Sequence, residues 1–309
     1  MRVVIAGGSG LIGRRIASAL EASGDEPIVL SRRAAAQQSP GSEGITVKGW
    51  DPRDASGSWT EDLRAADAVI NLAGSSVGGW PWTARRMRDL VDSRLVATAT
   101  LVDALARMPS SDRPPVFISG SGVDIYEGND AEPATEEAAP ADTFLARLCV
   151  DWESAAMHAQ DAGVRVVVTR MSLVVDREAS ALQRFALPVR LFAGGRLGSG
   201  RQWISWIDST DVVGLMLLAL RHDHASGPIN FASPDARQQI DFSRSIARVV
   251  HRPFWLPTPA TPIRLALGKQ ATLVLGSRRV APARALSLGY VFERPDLEVA
   301  LAAALQTRS

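Results

Sequence analysis

Lysine and tyrosine are almost missing from this chain, and cysteine occurs once. The lysines are Lys48 and Lys269, the tyrosines Tyr126 and Tyr290, the cysteine Cys149. One cysteine allows no disulfide framework and no cysteine-based zinc site, and it suits a reducing compartment. The four histidines (158, 222, 224 and 251) show no metal-ligand spacing beyond His222-x-His224, so no metal is expected. There is no excess of charge: 34 Lys plus Arg against 33 Asp plus Glu gives a net +1. That balance gives no electrostatic case for nucleic acid or an anionic membrane. No apolar run is long enough to span a bilayer; the longest lies near 215–220. Met1-Arg2 passes directly into Val3-Val4-Ile5-Ala6-Gly7 without a signal-like apolar stretch, so a soluble cytoplasmic protein is expected.

What is present alternates. Residues 2–6, 28–30, 45–47, 67–73, 114–119, 164–169 and 227–231 are short apolar, β-branched runs that predict buried strands. Between them, 11–23, 83–107, 142–162 and 208–220 carry helical periodicity, with Met87, Leu90, Val91, Leu95, Leu101, Val102 and Leu105 along one face of the longest. This order predicts an α/β fold, a doubly wound parallel sheet. Residues 1–175, completed by 208–235, would form a Rossmann domain. The loop 176–207 and the proline-broken helical stretch 236–309 would form a small, mostly helical cap. Pairing of the two long helices near 83–107 and 142–162 predicts a possible homodimer.

Residues 7–13 read Gly-Gly-Ser-Gly-Leu-Ile-Gly, between a predicted strand and a predicted helix. In that context they form a dinucleotide fingerprint. Gly7 or Gly8 permits the turn, Gly10 lets a pyrophosphate approach the backbone, and Gly13 lets the helix pack on the strand. Leu11 and Ile12 open the helix whose N–H groups would face the phosphates. A phosphate loop of the Gly-Lys-Ser/Thr type is excluded for want of a lysine. The second strand ends at Ser31-Arg32-Arg33, where an NAD site normally places an acid. A hydroxyl and two guanidiniums match a 2′-phosphate, so NADP is expected rather than NAD.

With these motifs, NLAG (71–74) and SGSGVDIY (119–126) resemble the extended short-chain dehydrogenase/reductase superfamily. WTARRMRDLVDSRL (82–95), FLARLCVDWE (144–153), GGRLGSGRQWISWID (194–208) and HRPFWLPTP (251–259) resemble its atypical epimerase-family branch, which carries a C-terminal domain of unknown function. The resemblance covers essentially the whole chain. It implies an NADP-binding Rossmann fold and a nucleotide-sugar epimerase or oxidoreductase activity. It adds Leu72, Ala73, Gly74, Asp51, Arg94 and Ser119 as cofactor positions, with the Arg94 cation facing the phosphates. The resembled proteins usually carry glycine where this chain has Asp124, Glu127, Ser172 and Asp176.

The superfamily's usual reaction set is Ser or Thr, a Tyr, and a Lys four residues after it. Ser121 matches the Ser. Aligned by Glu153, the Tyr and Lys positions hold Leu145 and Cys149. Tyr126 is followed four residues on by Asp130, and Tyr290 by Arg294, so no register restores the pair. Tyr126, Asp124 or water is then left to supply the proton beside Ser121. A Tyr126 phenol near its reference pKa of about 10 would act as an acid and favour carbonyl reduction. Cys149 has no nearby His and reads as a buried structural thiol. Arg201, Gln202 and Trp203 (or Trp206) are candidates for binding and stacking on a small-molecule substrate. Two function classes follow. One is an NADP-dependent oxidoreductase or epimerase with a rearranged acid/base set; the other is a non-catalytic NADPH-binding redox sensor or regulatory protein.

Overall fold

The computed structural model describes residues 1–32, 45–64, 66–126 and 132–306. Seven strands form one all-parallel sheet: β1 (Arg2–Ala6), β2 (Glu26–Ser31), β3 (Thr46–Gly49), β4 (Ala68–Asn71), β5 (Val116–Gly122), β6 (Arg165–Met171) and β7 (Gly227–Phe231). Their spatial order is β7-β6-β5-β4-β1-β2-β3. The order reverses at β1, which lies between β4 and β2. That reversal opens a crevice beyond the carboxyl ends of β1 and β4, the position where ligands bind in open α/β sheets.

The helices of eight or more residues are α1 (Leu11–Ala22), α2 (Ala84–Arg107), α3 (Phe144–Met157), α4 (Ser180–Arg190), α5 (Ser209–Arg221), α6 (Gln239–Val249), α7 (Ala260–Leu267) and α8 (Leu297–Leu305). Strand pleating sorts alternate side chains onto opposite faces. Val3 and Ile5 pack with Ile16 and Leu20 of α1 and Leu215 of α5. Val4 and Ala6 pack with Leu101 and Leu105 of α2 on the other face. A third core joins Leu182 of α4, Phe242 of α6, Leu301 of α8 and Trp206.

The stretch 176–207 differs from the loop expected of it, because Ser180–Arg190 is helical. Leu182, Ala186 and Val189 recur at helical spacing and are buried. Pro188 lies in the last turn, where it has no N–H to give the Arg184 carbonyl, so it breaks the pattern when the sequence is read alone. The expected 142–162 helix is α-helical to Met157 and tightens to a 3₁₀ turn over His158–Ala162. Among the described residues no helix is long and apolar enough to cross a membrane.

Candidate functional site

The turn after β1 is built around three glycines with different tasks. Gly7 has a φ of +76°, and a Cβ there would stand 2.7 Å from the Leu72 carbonyl carbon. A Cβ on Gly13 would stand 2.4 Å from Gly8 Cα, so only glycine lets α1 sit this close to the turn. Gly10 is exposed and caps α1 without a side-chain hydrogen bond, and no acidic side chain occupies the first turn. The helix N-terminus is therefore open to an anion and carries no competing carboxylate. These residues fit a dinucleotide pyrophosphate. Leu72 and Ala73 pass beside Gly7, half-buried. Gly74 gives room to Arg94, whose Cζ would lie 3.1 Å from a Cβ at that position.

At the adenosine end, Ser31 is buried and Arg32 exposed where β2 terminates. Arg33 and Glu127 lie outside the described residues. Asp51 is exposed and accepts the Arg53 backbone N–H at 3.0 Å. Ser119 is fully enclosed within β5 and offers no surface to a ligand, because its side chain points into the sheet's packing.

A cleft of about 1060 Å³ runs from Leu11 and Ile12 past Arg94 and Ser121 to Trp203 and Ile263. Arg94 donates to the Leu90 carbonyl at 3.0 Å, and its guanidinium lies over the Trp152 ring at 5.1 Å. Burial lowers its pKa. A groove of similar size, about 1100 Å³, is lined by Arg15, Asp176, Asp208 and Arg294 among others. It contains none of the candidate residues, and four of its charged groups already pair, Arg15 with Asp176 and Arg294 with Asp208.

Ser121 lies near the end of β5, and its hydroxyl donates to Glu153 Oε1 at 2.6 Å. Glu153, on α3, is gripped by Arg170 of β6 through Nε at 2.9 Å and Nη2 at 2.8 Å. Arg170 also donates to the Glu136 carbonyl at 3.0 Å and the Tyr126 hydroxyl at 2.5 Å. The pair is almost enclosed, with Arg170 7% exposed. Sequence reading used Glu153 as an alignment marker and passed over Arg170. The available signal was an arginine inside the apolar strand RVVVTRM, since a buried charge requires a partner.

Tyr126 departs from expectation. The 3₁₀ turn Val123–Ile125 carries it away from the cleft into a buried cluster with Val280 and Ala232. Its hydroxyl donates to Asn230 Oδ1 at 2.8 Å. Burial pushes the phenol above its ordinary value, against the opposing pull of Arg170. The expected acid of ordinary pKa is thus replaced by a structural phenol that does not line the cleft. Tyr290 is likewise spent, donating to Asp211 Oδ1 at 3.0 Å. Asp124 does line the cleft but is paired with Arg278 at 2.9 Å.

The three substrate-loop candidates separate. Trp203 lines the cleft, with Arg279 over its ring at 4.3 Å. Gln202 is buried and ties the loop together, donating to the Leu197 carbonyl at 2.9 Å and the Val274 carbonyl at 3.2 Å. Arg201 is exposed and does not line the cleft. Trp206 is wholly buried, with Nε1 donating to the Asp235 carbonyl. Among the described residues, no group of three or more His, Cys, Asp or Glu is placed to hold a metal.

Leu145 and Cys149 line the cleft together with Ser121. Burial, then the nearby Asp124 and Glu153 carboxylates, push the Cys149 thiol up to about 12. At pH 8 only about one part in 10⁴ is thiolate, the reactive form. Native protein should therefore resist a thiol-specific disulfide reagent at pH 8 and react with one equivalent after denaturation. Rapid native labelling would show that this burial is wrong.

Comparison with known proteins agrees with this architecture. Residues 3–232 match the family described as "NAD dependent epimerase/dehydratase family", and residues 258–304 match a domain of unknown function. The epimerase family protein YfhF of Bacillus subtilis is 32% identical, covering 100% of this chain and 99% of its own. An epimerase family protein of Mycobacterium leprae is 36% identical over 97% of this chain and 94% of its own. The crystal structure of human epimerase family protein SDR39U1 with NADPH superposes with a TM-score of 0.86 at 31% identity, covering 98% of this chain and 99% of that one. The chain belongs to the NAD dependent epimerase/dehydratase family.

Proposed function

We propose that this protein is an NADP(H)-dependent oxidoreductase of a small-molecule alcohol or carbonyl, with Ser121 at the reacting oxygen and Glu153 as the proton store behind it. The observation that carries this reading is the single cleft leading from the open N-terminus of α1 to Ser121, whose hydroxyl proton is directed 2.6 Å onto Glu153.

Gly7, Gly10 and Gly13 with the α1 N-terminus would hold the pyrophosphate, Ser31 and Arg32 the 2′-phosphate, and Arg94 the part of the cofactor nearest Gly74. When bound, the nicotinamide supplies or accepts a hydride. Ser121 has one proton, and in this geometry Glu153 takes it. The Ser121 oxygen therefore presents lone pairs to the cleft and accepts from a substrate O–H. As the substrate carbon gives up hydride, Ser121 takes the hydroxyl proton and passes its own to Glu153, leaving a carbonyl. The reverse sequence protonates a carbonyl oxygen as its carbon receives hydride. Because Ser121 starts as an acceptor, alcohol oxidation is open to this site, whereas the sequence alone favoured reduction. Arg170 holds the Glu153 carboxylate in place and does not touch the substrate.

The preference for NADP(H) rests on the basic end of β2, and the human relative was crystallised with NADPH. NADPH should raise the melting temperature more than NADH. Arg32→Glu should abolish that difference, a loss of about 1.5–3 kcal/mol if the guanidinium meets the phosphate directly. Equal stabilisation of the parent protein by both nucleotides would remove the assignment.

A further inference from the structure

The wall of the cleft beyond Ser121 is apolar, and its apolar groups come from separate parts of the chain. Leu145 and Leu148 project from α3, Phe185 from α4, Ile263 and Leu267 from α7, and Val274 from the short helix Thr272–Leu275. They form a continuous surface, since Leu273 packs directly on the Leu90, Leu145 and Leu148 cluster. Wall residues contributed by four helices make a built pocket, where a lone exposed leucine would mean little.

The charged groups in the same cleft are already engaged. Arg278 pairs with Asp124 at 2.9 Å, and Arg184 donates to the Gly78 carbonyl. Glu178 is held by Arg14 at 2.6 Å and Arg15 at 3.2 Å. Arg94 lies beside Gly74, at the cofactor end. Among the described residues, a nucleoside diphosphate entering beyond Ser121 would find Arg278 already held by Asp124 and only the exposed Arg184, whose one contact is to a backbone carbonyl, as a further cation. Bringing a pyrophosphate against Leu148, Ile263 and Val274 without one carries a heavy desolvation cost.

We infer that this region takes a substrate with an uncharged hydrocarbon body, a ketone, aldehyde or secondary alcohol, rather than a nucleotide sugar. This rests on the oxidoreductase reading for the reacting oxygen at Ser121 and adds the substrate class. The oxygen would meet Ser121 while the hydrocarbon lies along Leu148, Phe185, Ile263 and Val274. Each methylene removed from water there should tighten binding about fourfold.

The experiment uses the full chain loaded with NADPH. Trp80, Trp152 and Trp203 line the cleft, so quenching of tryptophan fluorescence reports occupancy without turnover. The probes are straight-chain 2-alkanones from four to ten carbons, with UDP-glucose as competitor. The dissociation constant should fall about fourfold per added methylene over at least three steps, and millimolar UDP-glucose should not displace the longest ketone. Val274→Asp, at a half-buried wall position, should flatten the series while leaving NADPH stabilisation unchanged. A flat series in the parent protein, or displacement by UDP-glucose, overturns the inference. Graded binding without loss of NADPH absorbance would keep the substrate class and defeat the oxidoreductase reading. Turnover confined to UDP-glucose, tested with NADP⁺ because this sugar offers a hydroxyl and no carbonyl, would do the opposite.

Discussion

Arg170→Met is expected to cost about 3–5 kcal/mol of folding stability, the largest effect of any single substitution considered for this protein. The cause is local. Removing the guanidinium strips Glu153 of two charge-assisted hydrogen bonds while the carboxylate stays largely enclosed between β5, β6 and α3. It also takes a donor from the Tyr126 hydroxyl and from the Glu136 carbonyl. Replacing both partners, as Arg170→Met with Glu153→Leu, should cost less than the sum of the two single changes, because no unpaired charge remains. Urea unfolding of the four proteins in the cycle checks this. An Arg170→Met loss below about 1 kcal/mol would mean that water reaches the pair freely.

The sheet was legible because its strands are apolar throughout, as parallel strands covered on both faces must be; Val3-Val4-Ile5-Ala6 and Val166-Val167-Val168 identify themselves. Gly7 and Gly13 were legible because the turn leaves no room for a side chain at either. The catalytic side was harder to read, for identifiable reasons. Tyr126 stands five residues after Ser121, which suggests a shared site, but one 3₁₀ turn sends the two side chains to different places. The glycines of 194–200 suggest a ligand loop, yet a Cβ on Gly195 would meet the Leu256 carbonyl oxygen at 1.8 Å, so that glycine allows two chain segments to cross. Gln202 looks like a sugar-binding amide and is consumed in tying its own loop to the Val274 carbonyl. Glu153 and Arg170 lie 17 residues apart on a helix and a strand, and only the pairing of β6 with β5 and the packing of α3 beside them bring the two to Ser121. The apolar wall was hidden in the same way, since each of its helices contributes only one or two side chains.

Ser121→Ala should lower kcat by about 10²–10⁴, the range that a positioned proton-transfer group contributes. The fold should survive the change. Glu153 keeps its two bonds to Arg170, so the lost charge-assisted hydrogen bond costs about 1.5–3 kcal/mol, and the increase in melting temperature with NADPH should persist. Glu153→Gln should lower kcat comparably, because an amide cannot take the proton that Ser121 passes on. Unlike Ser121→Ala, it also weakens the hold of Arg170, so its melting temperature should fall. Glu153→Asp retains a carboxylate and should recover part of the rate, with KM for the alcohol or ketone little changed. A purely structural Glu153 would give variants whose rates follow their stabilities. The proton store instead requires Glu153→Gln to be slow even where the protein is fully folded. The measurement is NADPH absorbance in both directions at a temperature well below the lowest melting point. Undiminished turnover by Ser121→Ala would remove Ser121 from the chemistry. If the parent protein turns over no alcohol or carbonyl while NADPH changes hydrogen exchange across 236–309, the protein is a cofactor-responsive regulator, and Ser121, Glu153 and Arg170 serve as a buried brace beneath the cofactor.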